Sequence, residues 1–581
     1  MAEEDFQPGG YARALRLAFL MVLGGLLACV AYLQLSPTEL LTSRSRREQT
    51  RLVYVPSCRG TLLDRAGNPL NISVPSYSMV LRPELVRDPR DTRQRTLEKL
   101  SAEITDLAMA LGPEFYQFRP SLAKIERHLR EQPALPLTLW EDIDADTLAR
   151  WALLRRAHPA AELQLVWRRE YREPTLAPQL RGMVKRSGPR TTGAEKFWNA
   201  NAPELAGASG LEKALDTELS GVGGSERLQT DVLSYRSTVL EATPAVPGAD
   251  RHLALCVEAQ RLAEQRFREN GYRGAAVALD LATGKVVVSL SMPAVPLGVR
   301  DTGEGGAYQN RVLSGYYPPG STIKPLLALY ALDRGLITAA APVVDCPGYY
   351  AVGEKLRVGC SHVHGSVSVV EAIAQSCNVF FSDLAATMPP ECLDDFAALF
   401  GFGQKPGSVL VAEESAGVPF SPGWVAAKRT ADPTWRRGDA ANAGIGQGAW
   451  VVTPMQLALA TGFALTGELL IPQYLVEDEK IVYRHRTWSP EAQRLVLAGM
   501  RQCVQTGTGQ SMRSSELAIL GKTGTAEVGK SLRPHAWVTA AAPADAPRFV
   551  VAVCVENGGG GGRVAGPIAR DILLCLEKFA E

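Results

Sequence analysis

Strand-like runs at Gly274–Asp280 and Lys285–Leu290 are matched only near the far end of the chain, at Ala536–Ala542 and Phe549–Glu556, with helical material between. A sheet built from these segments closes only when the chain returns from a long helical excursion. That predicts an α+β domain, an antiparallel sheet flanked by helices. The first two runs surround Ala282-Thr283-Gly284 and read as a hairpin, preceded by an amphipathic helix over Leu255–Arg268. The Pro/Gly cluster Thr243–Gly248 lies just upstream, so the domain is expected to span 251–581.

The segment 36–250 is rich in Arg, Pro and polar residues, with short helical stretches at Arg93–Leu111 and Ala145–Arg156, no dense core signal and no internal repeat. It reads as an elongated α+β stalk or pedestal. Ahead of it, Leu17–Leu35 is apolar throughout. At about 1.5 Å per residue this run spans a ~30 Å hydrocarbon core, which predicts one transmembrane helix after a cytoplasmic tail at 1–16. Arg13 and Arg16 before the run suit a cytoplasmic start, but Arg44, Arg46 and Arg47 follow it, so charge alone leaves the orientation open. A cleaved signal peptide or a lipoprotein signal at Leu26-Leu27-Ala28-Cys29 are the alternatives; the apolar run continues through Val30, Ala31, Tyr32 and Leu33, which neither needs. With 62 basic and 61 acidic side chains, nothing at whole-chain level argues for nucleic acid as a partner.

Tyr317-Pro318-Pro319-Gly320-Ser321-Thr322-Ile323-Lys324 leads into an apolar helix, so Ser321 is expected to open that helix beside its free N–H groups, with Lys324 one turn on and on the same face. Alone, Ser-x-x-Lys is more often a capping serine and a solvated lysine. Here Ser376-Cys377-Asn378 follows in the helical run Val369–Leu384, and Lys522-Thr523-Gly524-Thr525 begins a strand near the end. In this order and at domain-scale spacing the three triplets match the serine acyl-transfer set. A lysine acting as base must be neutral, which burial or a nearby charge such as Lys522 would favour.

With these triplets the chain resembles the class B penicillin-binding proteins, membrane-anchored D,D-transpeptidases of peptidoglycan. The resemblance extends to Arg59-Gly60-Thr61-Leu62-Leu63-Asp64-Arg65, Gly210-Leu211-Glu212, Asn310-Arg311, Gly446-Gln447-Gly448 and Thr453–Ala458; the stretch from Arg93 to about Pro159 matches no such landmark. His364-Gly365, His535-Ala536-Trp537 and Val555–Gly558 favour the elongation branch, which works with a polytopic glycan polymerase of the rod-complex type, over the division branch. The resemblance implies a serine β-lactamase/transpeptidase-like domain facing the periplasm from the inner membrane. Ser321 would be the nucleophile, Lys324 its base, and Ser376 and Asn378 the proton relay. Lys522 and Thr523 would hold the terminal carboxylate of a stem peptide. Gly524 would permit close approach, and the N–H groups of Ser321 and Thr525 would form the oxyanion hole. β-Lactams would acylate the same serine.

No cofactor is implied for the acyl transfer. Ten cysteines form no regular framework, and Cys256, Cys392, Cys503, Cys554 and Cys575 read as core. Asp345, Cys346, Cys360, His364 and Cys377 fall close together, and elongation-type relatives can carry zinc here. The resemblance maps it onto Asp345, Cys360, His364 and Cys377, with Cys346 as the substitute for Asp345; a Cys346–Cys360 disulfide or free thiols are the alternatives. A β-lactamase or β-lactam sensor would not need the pedestal. A bifunctional synthase would need a glycosyltransferase domain, and Glu141-Asp142 lacks the His expected after it. A pure scaffold activating a polymerase would not need the catalytic side chains.

Overall fold

The computed structural model describes residues 8–35, 50–187, 204–230, 235–299, 306–339, 343–353, 356–529 and 531–579. Arg44, Arg46 and Arg47 lie outside them. Helix α1 (Pro8–Leu35) contains the apolar window Arg13–Tyr32, none of which is buried against the rest of the chain. An apolar surface of this length needs a lipid or protein covering.

In the pedestal, strand β1 (Pro69–Leu81) bends through a sheet that also contains β2 (Leu137–Trp140) and β3 (Ala161–Tyr171), the last paired antiparallel with β1 from Asn71↔Tyr171 to Leu81↔Ala161. Between β1 and β2 runs helix α2 (Arg93–Leu111), capped by Thr92, whose hydroxyl accepts from Arg95 N. Its buried Leu100, Ile104, Leu107 and Leu111 recur every three to four residues on one face. They pack with Met79, Leu81, Ile125, Leu137 and Trp151 into a separate small core. This density is not legible in the sequence because each helix carries only one apolar stripe among Arg, Glu and Gln. Just past the Pro/Gly cluster, Arg251–His252 pairs in parallel with Leu62–Leu63, which ties the start of the following domain to the pedestal sheet.

After helix α3 (Val257–Glu269) come β4 (Gly274–Asp280) and β5 (Lys285–Met292), the expected hairpin, its turn held by Asp280 Oδ1 accepting from Ala282 N at 2.9 Å. The excursion then supplies α4 (Lys324–Asp333), α5 (Val369–Ala374), α6 (Asn378–Thr387), α7 (Pro454–Thr466) and α8 (Pro490–Gln505). Strands β6 (Leu520–Ala526), β7 (His535–Ala542) and β8 (Phe549–Val555) close an antiparallel sheet of order β5-β4-β8-β7-β6, and α9 (Gly561–Phe579) ends the described chain. The first strand therefore pairs with the last, Gly274↔Val555 through Asp280↔Phe549.

Every residue of β4 and β8 is buried, because the sheet is covered on both faces. Side chains alternate across a strand: Ala275, Val277 and Leu279 join the large core with Leu457 and Phe463 of α7, whereas Ala276 and Ala278 meet Phe267 of α3 and Ile568 and Ile572 of α9. The sheet thus holds its β6 edge rigidly against the turn that carries Ser321.

Candidate active site

Ser321 does not open an α-helix. It lies in a 3₁₀ turn, Gly320–Ile323, and the α-helix starts at Lys324. Pro318, Pro319 and Pro325 together with Gly320 at φ +55° shape this tight entry. The turn is anchored on two sides. Gly320 N donates to Gly446 O at 2.9 Å, and Tyr317 exchanges backbone hydrogen bonds with Val452 at 3.1 and 2.9 Å. Trp537 Nε1 donates to Pro318 O at 3.0 Å, and Tyr317 Oη donates to Glu556 Oε1 at 2.7 Å, on the same oxygen that Arg311 Nε reaches at 2.8 Å.

Lys324 is fully buried. Its Nζ donates to Ser376 O at 2.8 Å, Asn378 Oδ1 at 2.6 Å and Ser376 Oγ at 3.3 Å. Burial first, and the positive charge of Lys522 second, lower its pKa well below the ordinary lysine value. The longest of the three contacts is to a hydroxyl, which can reverse and donate once the amine is neutral.

The helical run expected over Val369–Leu384 breaks at this point. Helix α5, started by a capping box between Ser368 and Glu371, stops at Ala374; Ser376 takes a left-handed conformation at φ +58°, and α6 begins at Asn378. A non-glycine residue held there stores roughly 1 kcal/mol or more of strain. The break turns both the Ser376 carbonyl and the Asn378 amide toward Lys324. Asn378 is fixed from behind, its Nδ2 donating to Gly359 O at 2.7 Å.

Strand β6 forms the facing wall. Lys522 is fully buried with Nζ donating to Thr523 O at 2.9 Å, and burial lowers its pKa to about 8, opposed by Cys503. A Cβ on Gly524 would lie 2.9 Å from Thr322 Cγ2, so this glycine is required by the packing of the strand on the nucleophile turn. A Cβ on Gly320 would lie 3.1 Å from Thr525 O, which brings the backbones on either side of Ser321 and Thr525 close together. Thr523 is buried and Thr525 exposed, and the hydroxyl of Thr523 lies 2.6 Å from that of Thr508.

Beside this site Cys346, Cys360, His364 and Cys377 bring their ligand atoms within 4.8 Å of one another. His364 Nδ1 is 3.3 Å from Cys346 Sγ and 3.4 Å from Cys360 Sγ, and Cys377 Sγ is 3.9 Å from Cys360 Sγ. Asp345 is not in the group. On the short strand Val344–Cys346 adjacent side chains face opposite ways, so Cys346 is fully buried in the cluster and Asp345 is exposed. No disulfide joins Cys346 and Cys360. The Cys360 thiol is held below its ordinary pKa, first by the hydrogen bond it shares with Cys377, against the opposing effect of burial, and then by backbone N–H groups, of which Asn378 N donates to its sulfur at 3.0 Å. Three thiols and an imidazole converging this tightly are a donor set that suits a tetrahedral zinc ion.

Glu556, Tyr317, Arg311 and Thr508 were not identified as site residues from sequence. Arg311, Tyr317 and Glu556 stood in stretches already singled out, which is the one signal that could have placed them; Thr508 stood in none.

A buried lysine one turn beyond a serine, held by a Ser-x-Asn turn and faced by a Lys-Thr-Gly edge strand, is the arrangement of an active-site-serine acyl transferase. The penicillin-binding protein transpeptidase domain model matches residues 274–574, more than half of the chain, and the penicillin-binding protein dimerisation domain model matches 54–253. The chain therefore belongs to the penicillin-binding protein transpeptidase family. The peptidoglycan D,D-transpeptidase MrdA of Haemophilus influenzae is 27% identical, across 97% of this chain and 91% of its own. The penicillin-binding protein PBP2 of Helicobacter pylori, solved in a complex with MreC, superposes with a TM-score of 0.76 at 24% identity, covering 91% of this chain and 99% of its own. A chain from a peptidoglycan synthase complex, described as coordinating polymerization and crosslinking, gives a TM-score of 0.66 at 26% identity over 97% and 98%.

Proposed function

We propose that this protein is an elongation-type peptidoglycan D,D-transpeptidase that cross-links stem peptides through an acyl-enzyme on Ser321. The observation that carries the reading is Lys324 Nζ, buried, held by Ser376 and Asn378 and one turn from Ser321. Neutral Lys324 takes the Ser321 hydroxyl proton as Oγ bonds to the penultimate D-alanine carbonyl carbon. The Ser321 and Thr525 N–H groups stabilise the oxyanion, a contribution of roughly 3–4 kcal/mol per donor in related chemistry. The C–N bond then breaks, and the proton returns through the Ser376 hydroxyl to the departing D-alanine amine. An amine from a neighbouring stem resolves the ester. Lys522 and Thr523 hold the terminal carboxylate, and β-lactams mimic the substrate at the same serine.

Under this reading α1 is a single-pass anchor in the inner membrane over 17–35, the pedestal (36–250) and transpeptidase domain (251–581) are periplasmic, and a glycan polymerase of the rod complex is the partner. The relatives named above support both the branch and the partner. Incubating the protein with a fluorescent penicillin and mapping the adduct by peptide mass spectrometry is expected to place it on Ser321 and to lose it in Ser321→Ala. An adduct elsewhere, or none on folded protein, would sink the assignment.

The acyl transfer itself calls for no cofactor. Cys346, Cys360, His364 and Cys377 would hold a structural zinc, whose chemistry here is to lock three loops and, through Cys360, the backbone of Asn378. Elemental analysis of purified protein is expected to find about one zinc per chain, reduced by Cys346→Ala and unchanged by Asp345→Ala. Metal-free protein, or equal loss in both variants, would reject this ligand set.

A further inference from the structure

Helix α8 ends beneath the strand that carries Lys522 and Thr523, and the turn that follows is held from several directions. Gly507 N donates to Gln502 O at 2.9 Å, Gly509 N to Cys503 O at 2.9 Å, and Thr508 N to Ala374 O at the end of α5 at 3.2 Å. The glycines are set against neighbours: a Cβ on Gly507 would collide with Ala374 O, and one on Gly509 would lie 2.6 Å from Met512 Cε. A turn this constrained presents one side chain, Thr508, in a fixed and exposed place beside Thr523. Its hydroxyl lies 2.6 Å from that of Thr523 and 3.4 Å from the sulfur of Cys503, which is fully buried.

Two hydroxyls 2.6 Å apart share one proton between them, and the direction matters. A hydroxyl has a single proton to give. If Thr523 donates to Thr508, nothing remains on Thr523 for a carboxylate. If Thr508 donates to Thr523, the Thr523 proton is free to point at an anion, and the lone pair of Thr508 can take the thiol proton of Cys503. Only the second polarity suits a carboxylate site, and the buried thiol, a weak donor, selects it.

We propose that Thr508 is a positioning residue for the substrate carboxylate: held by Cys503, its hydroxyl donates to Thr523 and leaves the Thr523 proton for the terminal carboxylate of the stem peptide or the β-lactam. This rests on the transpeptidase reading and adds to it a residue outside the three triplets.

The test compares acylation of Ser321 by a penicillin with acylation by its methyl ester, in the full-length wild type, Thr508→Val and Thr508→Ser. Loss of a hydrogen bond that serves a charged group is expected to lower the acid-to-ester rate ratio about 10-fold in Thr508→Val. Thr508→Ser, which keeps the hydroxyl, should stay within about twofold of wild type. The ester reaction reports separately that the site is folded. An unchanged ratio in Thr508→Val, or an equal fall in Thr508→Ser, overturns the proposal. If the wild type forms no adduct with either compound, the transpeptidase reading falls and the proposal with it; a normal adduct with a flat ratio removes Thr508 alone.

Discussion

Lys324→Met is expected to slow acylation of Ser321 by roughly 10³-fold while leaving the fold in place. Methionine matches the length of the buried chain and adds no charge to its fully buried position, so the loss would report the amine itself. The pH profile carries the finer content. Lys324 acts only when neutral, and its pKa is lowered by burial and by Lys522, so the rate rises as pH climbs through that pKa and is lost below it. Lys522 acts only when charged; with its pKa lowered to about 8, carboxylate binding fades as pH passes about 8. Acylation by a penicillin should therefore be bell-shaped, with an alkaline limb near 8. The methyl ester, which has no carboxylate to lose, should keep the acid limb and lack the alkaline one. A penicillin profile without the alkaline limb would mean that the charge of Lys522 does not hold the carboxylate, whereas loss of the acid limb with both compounds, or a Lys324→Met variant within tenfold of wild type, would mean that another group takes the serine proton.

Much of this site was legible because its residues sit in short triplets whose types report their chemistry: a nucleophile with its base, a proton relay and a carboxylate holder. The sheet was legible for a related reason, since strands buried on both faces are continuous apolar runs and stand out from the helices between them. What sequence could not supply was the local break that makes the triplets useful. Nothing in Ala374-Gln375-Ser376-Cys377 announces a left-handed serine, and the run reads as continuous helix until packing against Lys324 decides otherwise. The exchange of Asp345 for Cys346 has the same character: both are good ligands, and which one faces the cluster depends on strand register, which a single residue of slip inverts. Thr508 and the site role of Glu556 were not legible because both act across the chain, through partners 15 and 239 residues away.

The pedestal contains the second large expected effect. Glu212 is fully buried and accepts from Arg59 Nε at 2.6 Å, Arg169 Nε at 2.8 Å and Asn71 Nδ2 at 2.9 Å, while Arg59 also reaches Asp216 at 2.7 Å and Ser220 at 2.9 Å. One carboxylate thus ties the chain segment at Arg59, β1, β3 and the Gly210–Ala214 helix, whose first N–H in turn donates to Glu413 of the transpeptidase domain at 2.7 Å. Glu212→Gln keeps the shape but removes the charge that Arg59 and Arg169 share, leaving two guanidinium groups buried and undercompensated. Breaking such a pair from one side costs about 3–5 kcal/mol, which for a unit of this size lowers the unfolding temperature by about 10 °C. The half-exposed pair Arg251–Glu218, 2.7 Å apart, provides the contrast: Glu218→Gln should cost under ~1 kcal/mol, because water already screens those charges. Thermal unfolding of both variants decides the matter. Equal, small shifts would show that the buried cluster is held by its neutral hydrogen bonds, whereas a large shift for Glu212→Gln alone makes this carboxylate the charge on which the pedestal, and its link to the transpeptidase domain, depends.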